Sequence, residues 1–554
     1  MNNQQTYRIF NTYIINLFLI ARKLIFSFIY NLGTTPNNKR KLAGNCIIIT
    51  AFILFGMLVF VKIQGALNTP FAEVREMANI VAIESIKNKI LNNIAYYPEN
   101  IYLYGCLQAW VLSWLPEDIN LIQANRIFSI ISLLLSAFPI LLIIKKLQPK
   151  TGALTLLIAA CAYLYPNIVE FPLTLGTPNY LGLLFSNLVL YLSIRHDNMK
   201  IIFIPICLIC CFLTKQYHLF SLCYPICALL FYKKERLAFL KFIIILILTG
   251  IGIYICMTHM QSQYAIQHHL IVRGGASKRM MVSKYLSYIL LMLPILWLMF
   301  IAFLRQHLST KLHIGRNPSK LEININLSQT QKSQFPIFDF IFCLSILCCS
   351  LLVMFRMGQH VGAIGIMYYA QLLTPTLVTF AIFYSSSIGI KKSDSVIACI
   401  FLALISLKTT WNELHTSRSY SNESNIVMND LKNSNLNIRG SAITSYMQNE
   451  LNQKFQDNGL TQYTELTFPR HEDFRFSELR NKAQQYKNKL NSQIENQYYD
   501  VIYTDFASYI QPSKDSVLTK KYTCTHDIEI SQGWKVKRWV PKNKEIISKI
   551  AESD

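Results

Sequence analysis

Cys46-Ile-Ile-Ile-Thr-Ala-Phe-Ile-Leu-Phe-Gly-Met-Leu-Val-Phe-Val-Lys62 is an apolar run of 17 residues whose one charge stands at its end. A helix of that length approaches the thickness of the ~30 Å hydrocarbon core of a bilayer. The chain then turns polar at once, as Gln64-Gly-Ala-Leu-Asn-Thr-Pro-Phe71-Ala-Glu73-Val-Arg75-Glu76. It continues to Tyr96-Tyr97-Pro98-Glu99-Asn100 and closes on Tyr102-Leu-Tyr104-Gly105. Two carboxylates and an arginine therefore sit within four residues, just past an apolar helix. Ionisable groups held that close to lipid are costly, which makes the cluster a candidate site. A solvated loop leading into a capped surface helix is the plain alternative, because clustered charges also arise structurally.

The rest of the chain repeats that first apolar run. Of 554 residues, 52% are hydrophobic and 15% charged, with a mean hydropathy of +0.30. Further runs near 120–144, 151–169, 178–194, 200–214, 217–232, 239–257, 285–304, 336–355, 369–388 and 394–410 predict eleven transmembrane helices in all. The expected fold class is a polytopic α-helical membrane protein with juxtamembrane helices on its outer face and a small C-terminal α/β domain. Residues 1–42 read as a cytoplasmic or interfacial segment, since Arg22 and Lys23 break the apolar run Ile9–Leu32. A further span there is the alternative, and no secretory leader is expected. The multi-span domain covers 43–410, with 65–119 as its first outer loop.

A net charge of +23 would suit a nucleic-acid partner, but its placement argues against one. Lys39–Lys41, Lys145, Lys146, Lys150, Arg195, Lys200, Lys233, Lys234, Arg236, Lys241, Lys391, Lys392 and the 305–335 loop fall on one side of the eleven-span scheme. The other side holds fewer, chiefly Arg75, Lys87, Lys89, Lys215, Arg273, Lys278, Arg279, Lys284 and Arg356. This bias orients the N-terminus inward and places residues 411–554 outside, with the Glu73 loop, in a bacterial inner membrane. Tyr102 to Pro116 is too short to span, and its tyrosines and tryptophans suit a helix along the outer headgroups. The polar tail predicts a helix over 476–494 and strands at Tyr499–Asp505 and Trp534–Pro541, enough for a modest core of its own. Most of the 14 cysteines lie in the apolar runs, where they act as small hydrophobes.

No phosphate-cradling P-loop, dinucleotide fingerprint, nucleophile elbow or H-E-x-x-H helix is present. What remains is a set of polar groups at the outer helix ends: Glu73, Arg75, Glu76, Arg126, Glu170, Asn179, Lys215, His218, His268, His269, Arg273 and Arg356. Any one of the cations could be a snorkelling anchor. Their convergence with a carboxylate loop on one face is harder to explain that way.

The order of elements carries a resemblance. A span leads to an acidic outer loop, a Tyr-rich surface helix and Asn125-Arg126-Ile-Phe-Ser at the next span. Thr214-Lys215-Gln216-Tyr217 follows at an outer helix end, then Gly358-x6-Gly365-x2-Tyr368-Tyr369-x5-Pro375. Over residues 45–410 this resembles the integral-membrane C-type glycosyltransferases, in the protein-mannosyltransferase-like and aminoarabinose-transferase-like branch that uses polyprenyl-phosphate sugars. The resemblance implies a site among the outer loops, with Glu73 as base and Glu76 in reserve. It implies substrate contacts from Tyr102, Tyr104, Glu170, Asn179, His268, His269 and Tyr368. Where the family often has a second acidic residue at the fourth span, this chain has Gly176-Thr-Pro-Asn179, with Glu170 nine residues earlier. That departure counts against a two-carboxylate or metal-dependent arrangement; no cofactor is expected, and a divalent cation has no support.

Chemistry leads to the same donor. Outside the membrane there is no nucleotide-sugar pool, so a glycosyl donor must arrive on a lipid, bringing a phosphate leaving group. Basic groups that meet the developing charge then suffice, and Lys215, Arg126, Arg273 and Arg356 are the candidates. The acceptor hydroxyl, on lipopolysaccharide, another glycan, a lipid or a protein, needs a base. The predicted reaction is direct displacement with inversion. A secondary transporter, an envelope polysaccharide polymerase or ligase, and a non-enzymatic scaffold are the competing classes; no internal repeat points to the first.

Overall fold

The computed structural model describes residues 37–68, 74–87, 106–116, 119–169, 176–195, 198–231, 238–259, 278–312, 337–358, 370–414, 421–433, 435–441, 444, 447, 488–504, 516–531 and 534–543. In chain order the first helices are α1 (Asn37–Asn68), α2 (Val74–Lys87), α3 (Leu107–Leu112), α4 (Leu121–Leu147), α5 (Ala153–Val169), α6 (Asn179–Ser193) and α7 (Lys200–Thr214). A 3-10 turn, Gln216–Leu222, leads into α8 (Cys223–Phe231), followed by α9 (Ala238–His259), α10 (Lys278–Leu290), α11 (Leu293–Leu312), α12 (Ile337–Gly358), α13 (Leu373–Ile388) and α14 (Lys392–Leu414). Each of the eleven apolar segments is thus built largely from helix. Pro139, Pro166 and Pro205 sit inside α4, α5 and α7, as packed membrane helices tolerate. Asn120 starts α4 by accepting from the Gln123 backbone N–H at 3.1 Å, satisfying one donor that the first turn leaves free.

One apolar core runs through the bundle, from Leu54 of α1 through Tyr163, Leu208, Tyr288 and Ile346 to Leu402 of α14. The outside is apolar too: Ile127, Ile131, Leu135 and Phe138 lie on one exposed stripe of α4, and Leu240, Ile244, Ile247 and Ile251 on another of α9. Many amides and hydroxyls meanwhile bond to one another inside, as where Asn187 donates to the Tyr163 hydroxyl at 2.8 Å. That inversion of the usual surface is what a lipid surround permits.

Four helices, α1, α4, α12 and α14, are long and apolar enough to cross a membrane, and α10 with α11 would make a fifth if that pair, bent by 80°, is one span. The count of eleven is therefore not established by helix length. Among the described residues α5, α6, α7, α9, α13 and the 3-10 turn with α8 form shorter apolar helices. At 15 residues, α6 and α7 are each only about 22 Å long.

Side-chain bonds sort the helix ends. Lys392 donates to Asn45 (2.8 Å), Gln148 to Ser387 (2.7 Å), Lys241 to Asn198 (3.0 Å), and Arg305 pairs with Asp394 (2.5 Å). At the other end of the same helices Lys62 pairs with Glu413 at 2.7 Å, tying α1 to α14 beside Val169.

Beyond α14 come α15 (Ser424–Lys432), β1 (Ile438–Arg439), a helix over 488–495, β2 (Val501–Thr504), α16 (Val517–Lys521), β3 (Tyr522–Ser531) and β4 (Trp534–Pro541). They build a four-stranded sheet in the order β1-β2-β4-β3, parallel between β1 and β2 and antiparallel elsewhere. Arg538 of β4 forks onto Asp430 of α15, at 2.7 and 3.3 Å, and Tyr503 of β2 donates to the same carboxylate. Burial and that carboxylate push the Tyr503 phenol well above its ordinary pKa.

A second core fixes this small domain in place. Val427, Leu431, Ile438, Val501, Ile528 and Val536 pack with Ile80 and Ile83 of α2, Leu112 of α3 and Leu121 of α4. The tail and the first polar loop thus share one end of the bundle, the end holding Lys62 and Glu413.

Candidate functional site

At that end the chain buries three layers of polar side chains. Arg126, in the second turn of α4, donates from Nε and Nη2 to the two Glu76 oxygens, both at 2.7 Å, and from Nη1 to the Ala66 carbonyl at 2.8 Å. The two side chains are 1% and 0% exposed. Glu76 was the reserve base and Arg126 a phosphate-binding candidate; the structure joins them to each other. The planar fork is the geometry that makes such a pair strong.

Gly176 sets how closely this pair approaches the next layer. A Cβ there would lie 2.2 Å from Glu76 Cβ, so only glycine allows the turn before α6 to press on α2. The Gly176 carbonyl accepts from Asn79 (2.8 Å) and Asn125 (3.0 Å), and Gln108 donates to Asn125 at 2.8 Å. Each of these amides is fully buried. Asn125 was visible only as part of the Asn125-Arg126 motif, and Asn79 and Gln108 were missed at the level of sequence, because an uncharged amide carries no signal of burial.

Three residues on, Asn179 opens α6. Its Oδ1 accepts from Lys215 Nζ at 2.7 Å and from the Tyr217 hydroxyl, and its Nδ2 donates to Gln371 Oε1 at 3.3 Å. Lys215 is 2% exposed and its ammonium stands 5.3 Å from the Tyr217 ring centre. His218 sits alongside, its Nδ1 bonded with Ser186 at 3.2 Å and its ring filling the space above Gly182. The turn 176–179 therefore joins the Glu76–Arg126 pair to Lys215 through one short piece of backbone.

Glu73, Tyr102, Tyr104, Glu170, His268, His269, Arg273 and Tyr368 lie outside the described residues, as does the segment Ile9–Leu32. Arg75 and Arg356 fall on α2 and α12, and Glu73 directly precedes α2. Among the described residues no group of three or more His, Cys, Asp or Glu side chains could hold a metal ion.

Compared with known proteins, the chain matches no family model and no curated relative.

Proposed function

We propose that this chain is an inverting glycosyltransferase of the outer face of a bacterial inner membrane, moving a sugar from a polyprenyl phosphate to an extracytoplasmic acceptor. The observation that supports this most is the turn 176–179, where Gly176 touches the Glu76–Arg126 pair and Asn179 receives the Lys215 ammonium. A carboxylate-bearing loop and a buried cation thereby meet at one rim. In this reading all eleven apolar segments cross the bilayer.

Glu73 takes the proton of the acceptor hydroxyl as its oxygen attacks the anomeric carbon. The bond from that carbon to the phosphate oxygen breaks, and its electron pair leaves with the phosphate. Lys215 meets the charge, with Arg273 and Arg356 as the further cations. Glu76 and Arg126 hold the loop rather than react, since each engages the other. No general acid is required, because the leaving phosphate is stable as an anion. The isoprenoid tail lies between helices, against the lipid.

The deciding experiment supplies purified full-length protein with a labelled polyprenyl-phosphate sugar. Release of polyprenyl phosphate with transfer is expected, whereas a transporter or a scaffold releases none. Lys215→Ala should lower kcat/KM about 100-fold, the effect of losing one donor to a developing oxyanion; unchanged kcat and KM would remove Lys215 from the site. Sidedness is checked by thiol labelling at position 498, where the native tyrosine is 57% exposed. Tyr498→Cys should react with an impermeant reagent from outside the cell only, and reaction from the cytoplasm would invert the scheme.

A further inference from the structure

Lys215 fixes the orientation of two amides beyond itself. An ammonium has only donors, so the Asn179 group it touches at 2.7 Å is the oxygen. Asn179 must then offer its NH2 to Gln371, and Gln371 must turn its oxygen to receive it, at 3.3 Å. This leaves the Gln371 NH2 group, two donors on a side chain 2% exposed, pointing away from Asn179. Among the described residues it has no acceptor. Flipping the Gln371 amide would set NH2 against NH2, so the chain cannot relieve it that way. Buried donors without acceptors are costly and rare, and each one asks what it is kept for.

Its surroundings favour one kind of answer. Lys215 Nζ, itself 2% exposed, lies on the same Asn179 side chain. Asn179 is the first residue of the 15-residue helix α6, whose N-terminus carries the positive end of the peptide dipoles. Two NH donors and an ammonium, both side chains held by the one Asn179 amide at the start of a helix, suit an oxyanion and no cation. We propose that Gln371 and Lys215, arranged by Asn179, bind a phosphate oxygen. This rests on the function proposed above, where the ligand is the phosphate of the lipid-linked donor, and it adds a residue that neither charge nor motif singled out. Asn179 becomes the hub that orients both donors. A carboxylate in its place would put a negative charge where the phosphate comes.

The test titrates full-length protein in lipid nanodiscs with polyprenyl monophosphate and, separately, with inorganic phosphate. Gln371→Glu keeps the oxygen that faces Asn179 and exchanges the donors for a second oxygen, so Kd should rise at least tenfold. Gln371→Leu, which adds no charge, should raise it about tenfold. Dependence on Gln371 for polyprenyl phosphate alone supports the lipid as ligand, and the same dependence for inorganic phosphate supports free phosphate. Wild-type affinity for both probes in both variants overturns the site. Transfer is scored in parallel: a Gln371-dependent Kd in a chain that transfers no sugar keeps the phosphate site and overturns the enzyme. Sugar transfer with a Gln371-independent Kd does the reverse.

Discussion

Arg126→Ala is expected to cost about 3–5 kcal/mol of stability, the typical penalty for stranding one member of a buried ion pair. Both Glu76 oxygens receive an Arg126 N–H at 2.7 Å, and the pair is 1% and 0% exposed. The turn at Gly176 is already in contact with the Glu76 side chain, so the stranded carboxylate stays packed. The thermal midpoint of detergent-solubilised protein should fall accordingly. Arg126→Lys should recover only part of it, since a point charge cannot fork onto both oxygens. An unchanged midpoint in Arg126→Ala would mean that the pair contributes nothing to stability. The double variant Glu76→Leu with Arg126→Met separates folding from positioning: it removes both charges at similar volume, which is often close to neutral for stability. If that variant folds and has lost sugar transfer, the pair positions the loop before α2. If it folds and transfers at the parental rate, the pair serves the fold alone.

Much of the bundle was legible because its signal is long and local. Among the described residues each of the eleven apolar segments is built largely from helix, and the Lys392–Asn45 and Lys62–Glu413 bonds tie α1 to α14 at opposite ends. The count of crossings was not legible to the same degree: hydropathy marks where apolar residues are, while α5, α6 and α7 stop at 17, 15 and 15 residues. The tail was read in part. Strands were expected at 499–505 and 534–541 and lie at Val501–Thr504 and Trp534–Pro541. The long strand β3 was missed because Thr523, Cys524, Thr525, His526 and Asp527 supply no apolar alternation; only Ile528 and Ile530 do.

The polar site shows the same division. Charged residues announced themselves, so Glu76, Arg126 and Lys215 were singled out, and Asn179 by its place where the resemblance puts an acidic residue, but not their pairing. Arg126 lies 50 residues from Glu76 and Lys215 lies 36 from Asn179, separations over which sequence says nothing about contact. The amides Asn79, Gln108 and Gln371 were silent, since their importance comes from being buried. Gly176 was visible only as the start of the stretch Gly176-Thr-Pro-Asn179 that stands where the resemblance puts an acidic residue, whereas its role is the absence of a side chain facing Glu76.

Glu73→Gln is expected to abolish sugar transfer while leaving expression intact. The substitution keeps size and hydrogen-bonding capacity and removes only the ability to accept a proton, which is worth about 10²–10⁴-fold for a positioned base. A fall of at least 100-fold in kcat, with the donor KM within a few fold of the parent, is the expected reading. Geometry counts against Glu76 as the base. Glu76 gives both oxygens to Arg126, and a carboxylate locked in a two-point bond must break it before taking a proton. Glu73 stands three residues upstream of Glu76 in the sequence, and in the proposed reading it is the carboxylate left to take the proton. The pH–rate profile adds a second readout: the acid limb set by a carboxylate base should vanish in the glutamine variant, because its amide does not titrate in that range. Transfer retained within a few fold would move the base to Glu76 or Glu170. A Glu170→Gln variant would then decide between them, since it leaves the Glu76–Arg126 fork untouched: loss of transfer there assigns the base to Glu170, and retained transfer assigns it to Glu76.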